Sequence, residues 1–362
     1  MINTSWNVYN FRLNLLQALQ AQGYRIVVIA PKDNYSAKLK EEGFQFYHLP
    51  LDNDGTNTLK ELRLFAELYK MYKSIQPDII LHYTIKPNIY GTLAAGFLEI
   101  PTINNISGLG TVFLNDKLSS KIARRLYRIA LRFSKKVFFQ NNEDMALFIK
   151  KNLLKKEIAE RIPGSGIDTE KFKAPPCISK TVTFLLIARL IKDKGILEYI
   201  EAIRIIKKEH KEVRFQIVGG LYEANPTAVK KEELEEWIKE GLIEHINHTD
   251  KIKDYISKAS CIVLPSYREG LSRSLLEAAS MSRPIVTCDV PGCRDVVEDG
   301  VNGFLCKVRD AKSLANAISK IIALSASQRK SLGQNGREKI IAEFSDDIII
   351  KKYITTIQET LS

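Results

Sequence analysis

Residues 261–290 read CIVLPSYREGLSRSLLEAASMSRPIVTCDV. CIVLPS (261–266) is a short apolar run that predicts a buried strand. SRSLLEAASMS (272–282) has helical spacing, and PIVTCDV (284–290) is a second strand of the same kind. Strand, helix and strand in so short a stretch form a βαβ unit, which implies a parallel sheet.

The same alternation extends to both sides. Upstream come a strand at TVTFLLIAR (181–189), a helix at ILEYIEAIRIIKKEH (196–210), a strand at VRFQIVGG (213–220) and a short strand at LIEHIN (242–247). GFLCKV (303–308) follows downstream. The N-terminal half repeats the pattern, with helices at 9–23, 58–75, 87–98 and 117–135 between strands at 25–31, 44–50, 77–83, 100–107 and 136–141. The fold class expected is therefore α/β, with two doubly wound Rossmann-like domains. The boundaries expected are 1–170, a proline-containing linker at 171–180, 181–345, and a C-terminal helix at 346–362 that packs back towards the first domain. A doubly wound domain opens with a central strand. Here only Met1-Ile2 precede a loop and the first helix, so that strand is expected to be truncated.

The 362 residues suit two cores. No apolar run approaches the roughly 20 residues that span a bilayer. MINTSWNVYNFR lacks the apolar stretch of a secretory signal, and the expectation is a cytoplasmic protein. The five cysteines show no C-x-x-C pair, which argues against a disulfide framework or zinc ribbon. The net charge of +12 is uneven: residues 1–175 hold 25 Lys+Arg against 16 Asp+Glu. An excess in one half suggests an anionic partner there.

Four loops carry candidate chemistry. PSYREGLS joins a strand to a helix, where open α/β sheets bind ligands. Gly270 admits close backbone approach, and the amides near Leu271, Ser272 and Arg273 suit an anion or hydroxylated group. Glu269 stands at the loop mouth and Glu277 within the helix; the alternative for Glu277 is a capping box with Ser274. In ARLIKDKG, Arg189 and Lys194 stand at a helix start, where the dipole is already positive, which makes sense if a diphosphate binds between them. Gly219 and Gly220 end a strand, and Gly164 and Gly166 lie near the domain junction.

In order, R-x(4)-K, P-S-x-x-E-G, E-x(7)-E, P-I-V at 284–286 and G-x-N-G-F at 300–304 resemble the retaining, nucleotide-sugar-dependent family-4 glycosyltransferases. The resemblance extends over nearly the whole chain. It implies a GT-B fold, two facing Rossmann-like domains with a cleft between them. By it, Arg189 and Lys194 hold the donor diphosphate, Glu277 binds the ribose, and Glu269 with the amides of Gly270, Leu271 and Ser272 holds the transferred sugar. Gly219 borders the nucleotide, and His248 and Thr249 meet the base. Arg189, Lys194 and Glu269 are the catalytic candidates, and neither metal nor other cofactor is implied.

The segment NNISGLGTVF (104–113) lacks the histidine many members carry there. Ser107 and Gly108 occupy the place, and His82, at another strand end, is a candidate for acceptor or cleft contact. NISGLG and KPNIYG resemble a bacterial subgroup that extends polyprenyl-diphosphate-linked or lipid-linked glycans. The expected activity is transfer of a hexose or N-acetylhexosamine from a UDP-sugar donor to a lipid-linked acceptor. The alternatives are a UDP-sugar epimerase and an inactive membrane-associated scaffold.

KLSSKIARRLYRIALRFSKK (117–136) has eight basic residues and no acid. Ile122, Leu126, Ile129 and Phe133 share one helical face, expected to pack inward; Lys121, Arg124, Arg125, Arg128 and Arg132 gather on another. The basic face fits an anionic membrane surface or the acceptor's diphosphate, with the protein peripheral at the inner face of the cytoplasmic membrane. No recognition module for nucleic acid is present.

Overall fold

The computed structural model describes residues 1–51, 58–109, 118–173, 181–223 and 225–362. Backbone contacts divide the chain into two units: Met1–Gly166 with Asp346–Ser362, and Ile167–Ser345. Of the expected linker, Lys171 to Lys173 belong to the second unit, and 174–180 lie outside the described residues.

The first unit runs through α1 (Ser5–Phe11), α2 (Leu13–Ala21), β1 (Val27–Ala30), α3 (Tyr35–Glu41), β2 (Gln45–His48), α4 (Thr58–Ile75) and β3 (Ile80–Tyr83). It continues with α5 (Thr92–Gly96), β4 (Thr102–Ile106), α6 (Leu118–Ala130), β5 (Ser134–Phe139), α7 (Asn142–Lys150) and β6 (Ala159–Arg161). The helix expected at 9–23 is two helices. The Thr4 hydroxyl caps α1 by accepting the Asn7 N–H at 3.2 Å, and the chain breaks at Arg12, φ −131°. Arg12 is buried, its guanidinium 4.5 Å from the centre of the Tyr83 ring. The helix expected at 87–98 opens as a π turn, Pro87–Gly91, before α5. The unit's strands make two parallel sheets, β1-β2 and β3-β4-β5-β6.

The second unit comprises β7 (Thr183–Ile187), α8 (Ile196–Ile206), β8 (Arg214–Val218), α9 (Lys231–Lys239), β9 (Glu244–Ile246), α10 (Ile252–Lys258), β10 (Cys261–Leu264), α11 (Arg273–Ser280), β11 (Ile285–Cys288), β12 (Gly303–Cys306), α12 (Ala311–Ala323) and α13 (Ala326–Glu343). Its six strands form one parallel sheet in the order β12-β11-β10-β7-β8-β9. That is the doubly wound order, with the first strand in the middle and a switch point between β7 and β10. Every residue of β10 and β11 is buried, as a sheet covered on both faces requires. Helix α8 packs on α12 and α11 on α13.

The last helix, α14 (Asp346–Leu361), belongs to the first unit. Tyr353 anchors it: its hydroxyl accepts a bond from the Asn105 amide at 3.0 Å, and its ring meets Phe138 edge-on at 5.1 Å.

Candidate functional site

The loops after β7 and β10 meet beside the switch point. Lys192–Lys194 form a 3-10 turn that ends at Gly195, in the left-handed conformation (φ 70°), before α8 begins. The turn lies against the PSYREG loop: the Tyr267 N–H donates to the Asp193 carbonyl at 2.9 Å. The Lys194 ammonium forms an ion pair with Glu269 Oε1, and both side chains are largely buried. Ser266 Oγ donates to the same carboxylate oxygen at 2.7 Å from a fully buried position. A basic and an acidic group from loops 75 residues apart are thus in contact, with a hydroxyl fixing the acid.

Ser266 drew no attention in the sequence. Hydrogen bonds to charged groups contribute about 1.5–3 kcal/mol. Ser266→Ala is expected to lower the unfolding free energy by about 1–2 kcal/mol in urea titration, because the carboxylate keeps its lysine but loses this donor.

The rest of the loop is closed by Pro291 and Gly292. The Glu269 N–H donates to the Pro291 carbonyl and the Ser272 N–H to the Gly292 carbonyl, each at 3.2 Å. Gly292 has φ 77°, and a Cβ there would lie 2.6 Å from the carbonyl oxygens of Glu269 and Gly270. This corrects one expectation: the Ser272 amide is engaged by the protein's own backbone rather than presented to a sugar. Ser272 is instead the N-cap residue of α11, without a side-chain capping bond. The capping box through Ser274 does not form either. Glu277 accepts from Arg273 Nε at 2.9 Å, one turn back on the same helix. Glu277 is buried, which pushes its carboxyl up from the ordinary value while the Arg273 charge pulls against that shift.

Arg189 is exposed and lies 5.0 Å from the centre of the Tyr222 ring. Gly219 presses on the end of β7, where a Cβ would stand 1.8 Å from the Ala188 carbonyl oxygen. Its N–H donates to the Ile246 carbonyl at 2.9 Å, and His245 Nε2 bonds its carbonyl at 2.8 Å. His245 therefore holds the glycine that borders Arg189. His248 is exposed and Thr249 half-buried beyond β9, the Thr249 hydroxyl accepting from the Lys251 N–H at 3.1 Å.

In the first unit, His82 is fully buried and offers no surface to a ligand, which corrects its reading as an acceptor or cleft contact. Nε2 lies 2.9 Å from the Tyr72 hydroxyl and Nδ1 3.2 Å from the Thr92 hydroxyl. Burial holds its pKa well below the ordinary value, so the ring is neutral. Ser107 is exposed, its hydroxyl donating to Asn105 Oδ1 at 3.1 Å, and Gly108 follows at φ 139°.

Helix α6 presents a second surface. Its buried side carries Ser120, Tyr127 and Ala130. The apolar stripe expected to pack inward does not: Ile122 is 52% exposed, Ile129 41% and Phe133 43%, with only Leu126 partly covered. Phe97, 67% exposed, stacks on Phe133 at 6.5 Å. Lys121, Arg124, Arg125 and Arg128 join Lys151 around a concavity of about 380 Å³. Arg128 donates to the carbonyls of Asn152 and Lys151 at 3.0 and 3.1 Å, and Arg132 is exposed. Lys117 lies outside the described residues.

Among the described residues, no group of three or more His, Cys, Asp or Glu is placed to hold a metal ion, and no helix is long and apolar enough to cross a membrane.

Known proteins place this geometry in context. Residues 168–339 match the family model for glycosyl transferases group 1, and residues 1–141 the model for glycosyl transferase 4-like proteins. A similar curated protein is the N,N'-diacetylbacillosaminyl-diphospho-undecaprenol alpha-1,3-N-acetylgalactosaminyltransferase of Campylobacter jejuni, 27% identical over 96% of this chain and 94% of that protein. Another is the Escherichia coli UDP-Gal:alpha-D-GlcNAc-diphosphoundecaprenol alpha-1,3-galactosyltransferase, 22% identical over 93% and 90%. Anabaena HepE, solved in complex with UDP and glucose, aligns with a TM-score of 0.80 at 20% identity, covering 99% of this chain and 98% of that one. A Rickettsia africae glycosyltransferase structure also aligns at 0.80, with 18% identity, over 98% and 95% of the two chains. These structures show the fold: GT-B, built of two Rossmann-like domains.

Proposed function

The chain belongs to the glycosyltransferases, group 1 in its C-terminal unit and 4-like in its N-terminal unit, and from that footing we propose that it transfers a hexose or N-acetylhexosamine from a UDP-sugar to a lipid-diphosphate-linked sugar, with retention of the anomeric configuration. The observation that carries the site is the contact of Lys194 with Glu269 at the switch point of the second sheet. A cation for the leaving diphosphate and an acid for sugar hydroxyls stand side by side, as the two ends of the bond to be broken require. The relatives' names support the acceptor class, and the UDP-bound neighbour supports the donor.

In this reading the bond between the anomeric carbon and the phosphate oxygen breaks, and its electron pair passes to the diphosphate. Lys194 and Arg189 stabilise that growing charge in place of a metal. The acceptor hydroxyl attacks from the same face and passes its proton to the departing phosphate oxygen. Glu269, held by Ser266, orients the sugar; Glu277 accepts from the ribose hydroxyls. Gly219 leaves room for the nucleotide, His248 and Thr249 lie towards the base, and Gly270 and Leu271 line the sugar. Ser107 and Gly108 remain acceptor-side candidates.

The α6 surface supports peripheral attachment at the inner face of the cytoplasmic membrane. Full burial of an Ile or Phe side chain is worth about 1.5–3 kcal/mol, and each Lys or Arg near an anionic leaflet about 1 kcal/mol. Ile122, Ile129, Phe133 and Phe97 therefore contribute as much as the basic row. Vesicles containing anionic lipid should bind the protein, and 1 M salt should weaken binding without abolishing it. Phe97→Asp with Phe133→Asp should weaken it at every salt concentration. Salt-independent binding, or none, would sink the docking surface.

The activity is tested by a screen of UDP-, GDP- and ADP-sugars against polyprenyl-diphosphate-linked sugars, with products weighed by mass spectrometry. One added hexose or N-acetylhexosamine from a UDP-sugar is expected. Transfer from GDP- or ADP-sugars alone, or product formation without any acceptor, would refute the reading.

A further inference from the structure

Along α11 the charges stand in the wrong order for a helix. Arg273 is its first residue, where the backbone already presents a positive end, and Glu277 lies one turn on. An ion pair four residues apart stabilises a helix best with the acid first; here the base comes first. Glu277 is also buried, its side chain 11% exposed. A buried ion pair is commonly no more stabilising than apolar side chains of the same volume. Leu275, Leu276, Ala278 and Ala279 around it are such side chains, all buried. Three costs to stability therefore meet in two residues, which calls for a role outside stability.

The pair is held from outside the helix. The Arg273 guanidinium lies 5.7 Å from the centre of the buried Phe172 ring, within reach of a cation–π contact. Phe172 is itself fixed: its carbonyl accepts from Ser280 Oγ at 2.8 Å and from Arg337 Nη1, on α13, at 3.4 Å. Arg337 Nη1 also donates to the Thr169 carbonyl at 3.2 Å. The Asp168 carboxylate closes the turn by accepting the N–H groups of Glu170 and Lys171 at 3.1 and 2.7 Å. IDTEKF (167–172) is thus a braced platform on which Arg273 is laid.

We infer that Arg273, laid on Phe172, is a positioning residue for nucleotide binding: it fixes the Glu277 carboxylate to accept hydrogen bonds from the ribose hydroxyls. The inference rests on the reading of Glu277 as the ribose ligand. A carboxylate offers about four lone-pair sites, so one that accepts from Arg273 Nε at 2.9 Å can still accept from a diol. Charge matters as much as aim, because hydrogen bonds to an ionised acceptor are roughly twice as strong as neutral ones. Burial alone drives this carboxyl towards its protonated form, and the Arg273 charge, followed by that of Lys171, opposes it. Those two are the cations facing Glu277, one from its own helix and one from the platform. Helix α13, packed on α11, brings Arg337, which is paired with Glu170 at 3.6 Å. Strands β10 and β11 bring only the thiols of Cys261 and Cys288.

The test is calorimetric binding of UDP and 2′-deoxy-UDP between pH 6 and 9, with circular dichroism to verify folding. The ratio of the two affinities cancels the titration of the diphosphate and isolates the ribose 2′-hydroxyl. The unchanged chain should prefer UDP by about tenfold or more, evenly across that range. Glu277→Gln should bring the ratio close to one. In Arg273→Met the carboxyl loses its main counter-charge, so the preference should vanish as pH falls to 6 and return in part towards pH 9. Arg273→Gln, which keeps a hydrogen-bond donor and spares the fold, should show the same slope more weakly. Arg273→Lys restores the charge without the fork and should give an even but smaller preference. A ratio like that of the unchanged chain at every pH, in whichever of the Met and Gln variants folds, would overturn the inference while leaving Glu277 as the ribose ligand. Equal binding of the two nucleotides by the unchanged chain would overturn both.

Discussion

Replacing Lys194 with alanine is expected to lower kcat by about 10²–10³-fold, the usual loss when one preorganised charge donor is removed from a transition state. The ammonium is the group the fold places against Glu269, and it emerges from a turn fixed by the Tyr267 to Asp193 backbone bond. Its charge matters most when the diphosphate leaves, so the loss should fall on kcat more than on KM. Lys194→Arg keeps the charge but replaces a compact ammonium with a planar fork, and should recover only part of the rate. Stability separates this from unfolding. Glu269 keeps the Ser266 hydrogen bond, so urea unfolding of Lys194→Ala should shift by no more than about 1–2 kcal/mol. A variant with undiminished kcat would remove Lys194 from the reaction. A variant that loses activity only in proportion to its folded fraction would reduce the ion pair to a structural tie.

The strands and helices of the second unit were legible because strands covered on both faces read as continuous apolar runs, and the intervening helices show the 3.6-residue period. What local pattern could not carry was partnership across the chain. Ser272 begins a helix, and its amide looked available for a ligand, but Gly292 reaches it through a turn at φ 77°. His82 ends a strand as a ligand contact would, but Tyr72 from α4 and Thr92 from α5 close over its ring. Gly91 permits that closure: a Cβ there would lie 2.5 Å from His82 Nε2. In α6 the periodicity gave two stripes and no sign of which one meets the protein. The protein takes Tyr127 and Ala130 and leaves Ile122, Ile129 and Phe133 outside. An amphipathic pattern reports a contrast between faces, and only the neighbours decide which face is covered.

Gly195→Ala should be a severely damaging single-methyl change in the second unit's site. Two costs coincide there. At φ 70° a side chain occupies the left-handed region, at about 1–2 kcal/mol. A Cβ would also stand 2.1 Å from the Pro265 carbonyl oxygen, a backbone atom that cannot rotate away. Together these should lower the unfolding free energy by about 3–5 kcal/mol, at the upper end for a point substitution. Gly195→Asn separates the two causes. Asparagine tolerates the left-handed region but still carries a Cβ, so it should be nearly as damaging as alanine if the clash dominates. The clash also acts on the chemistry. Pro265 adjoins Ser266, and any shift that relieves the contact moves the 192–194 turn away from the loop that holds Glu269. Activity per folded molecule, measured well below Tm, should therefore fall by at least tenfold. A Gly195→Ala enzyme with normal specific activity would mean that the two loops move together, and that the Lys194 to Glu269 contact does not depend on their close approach.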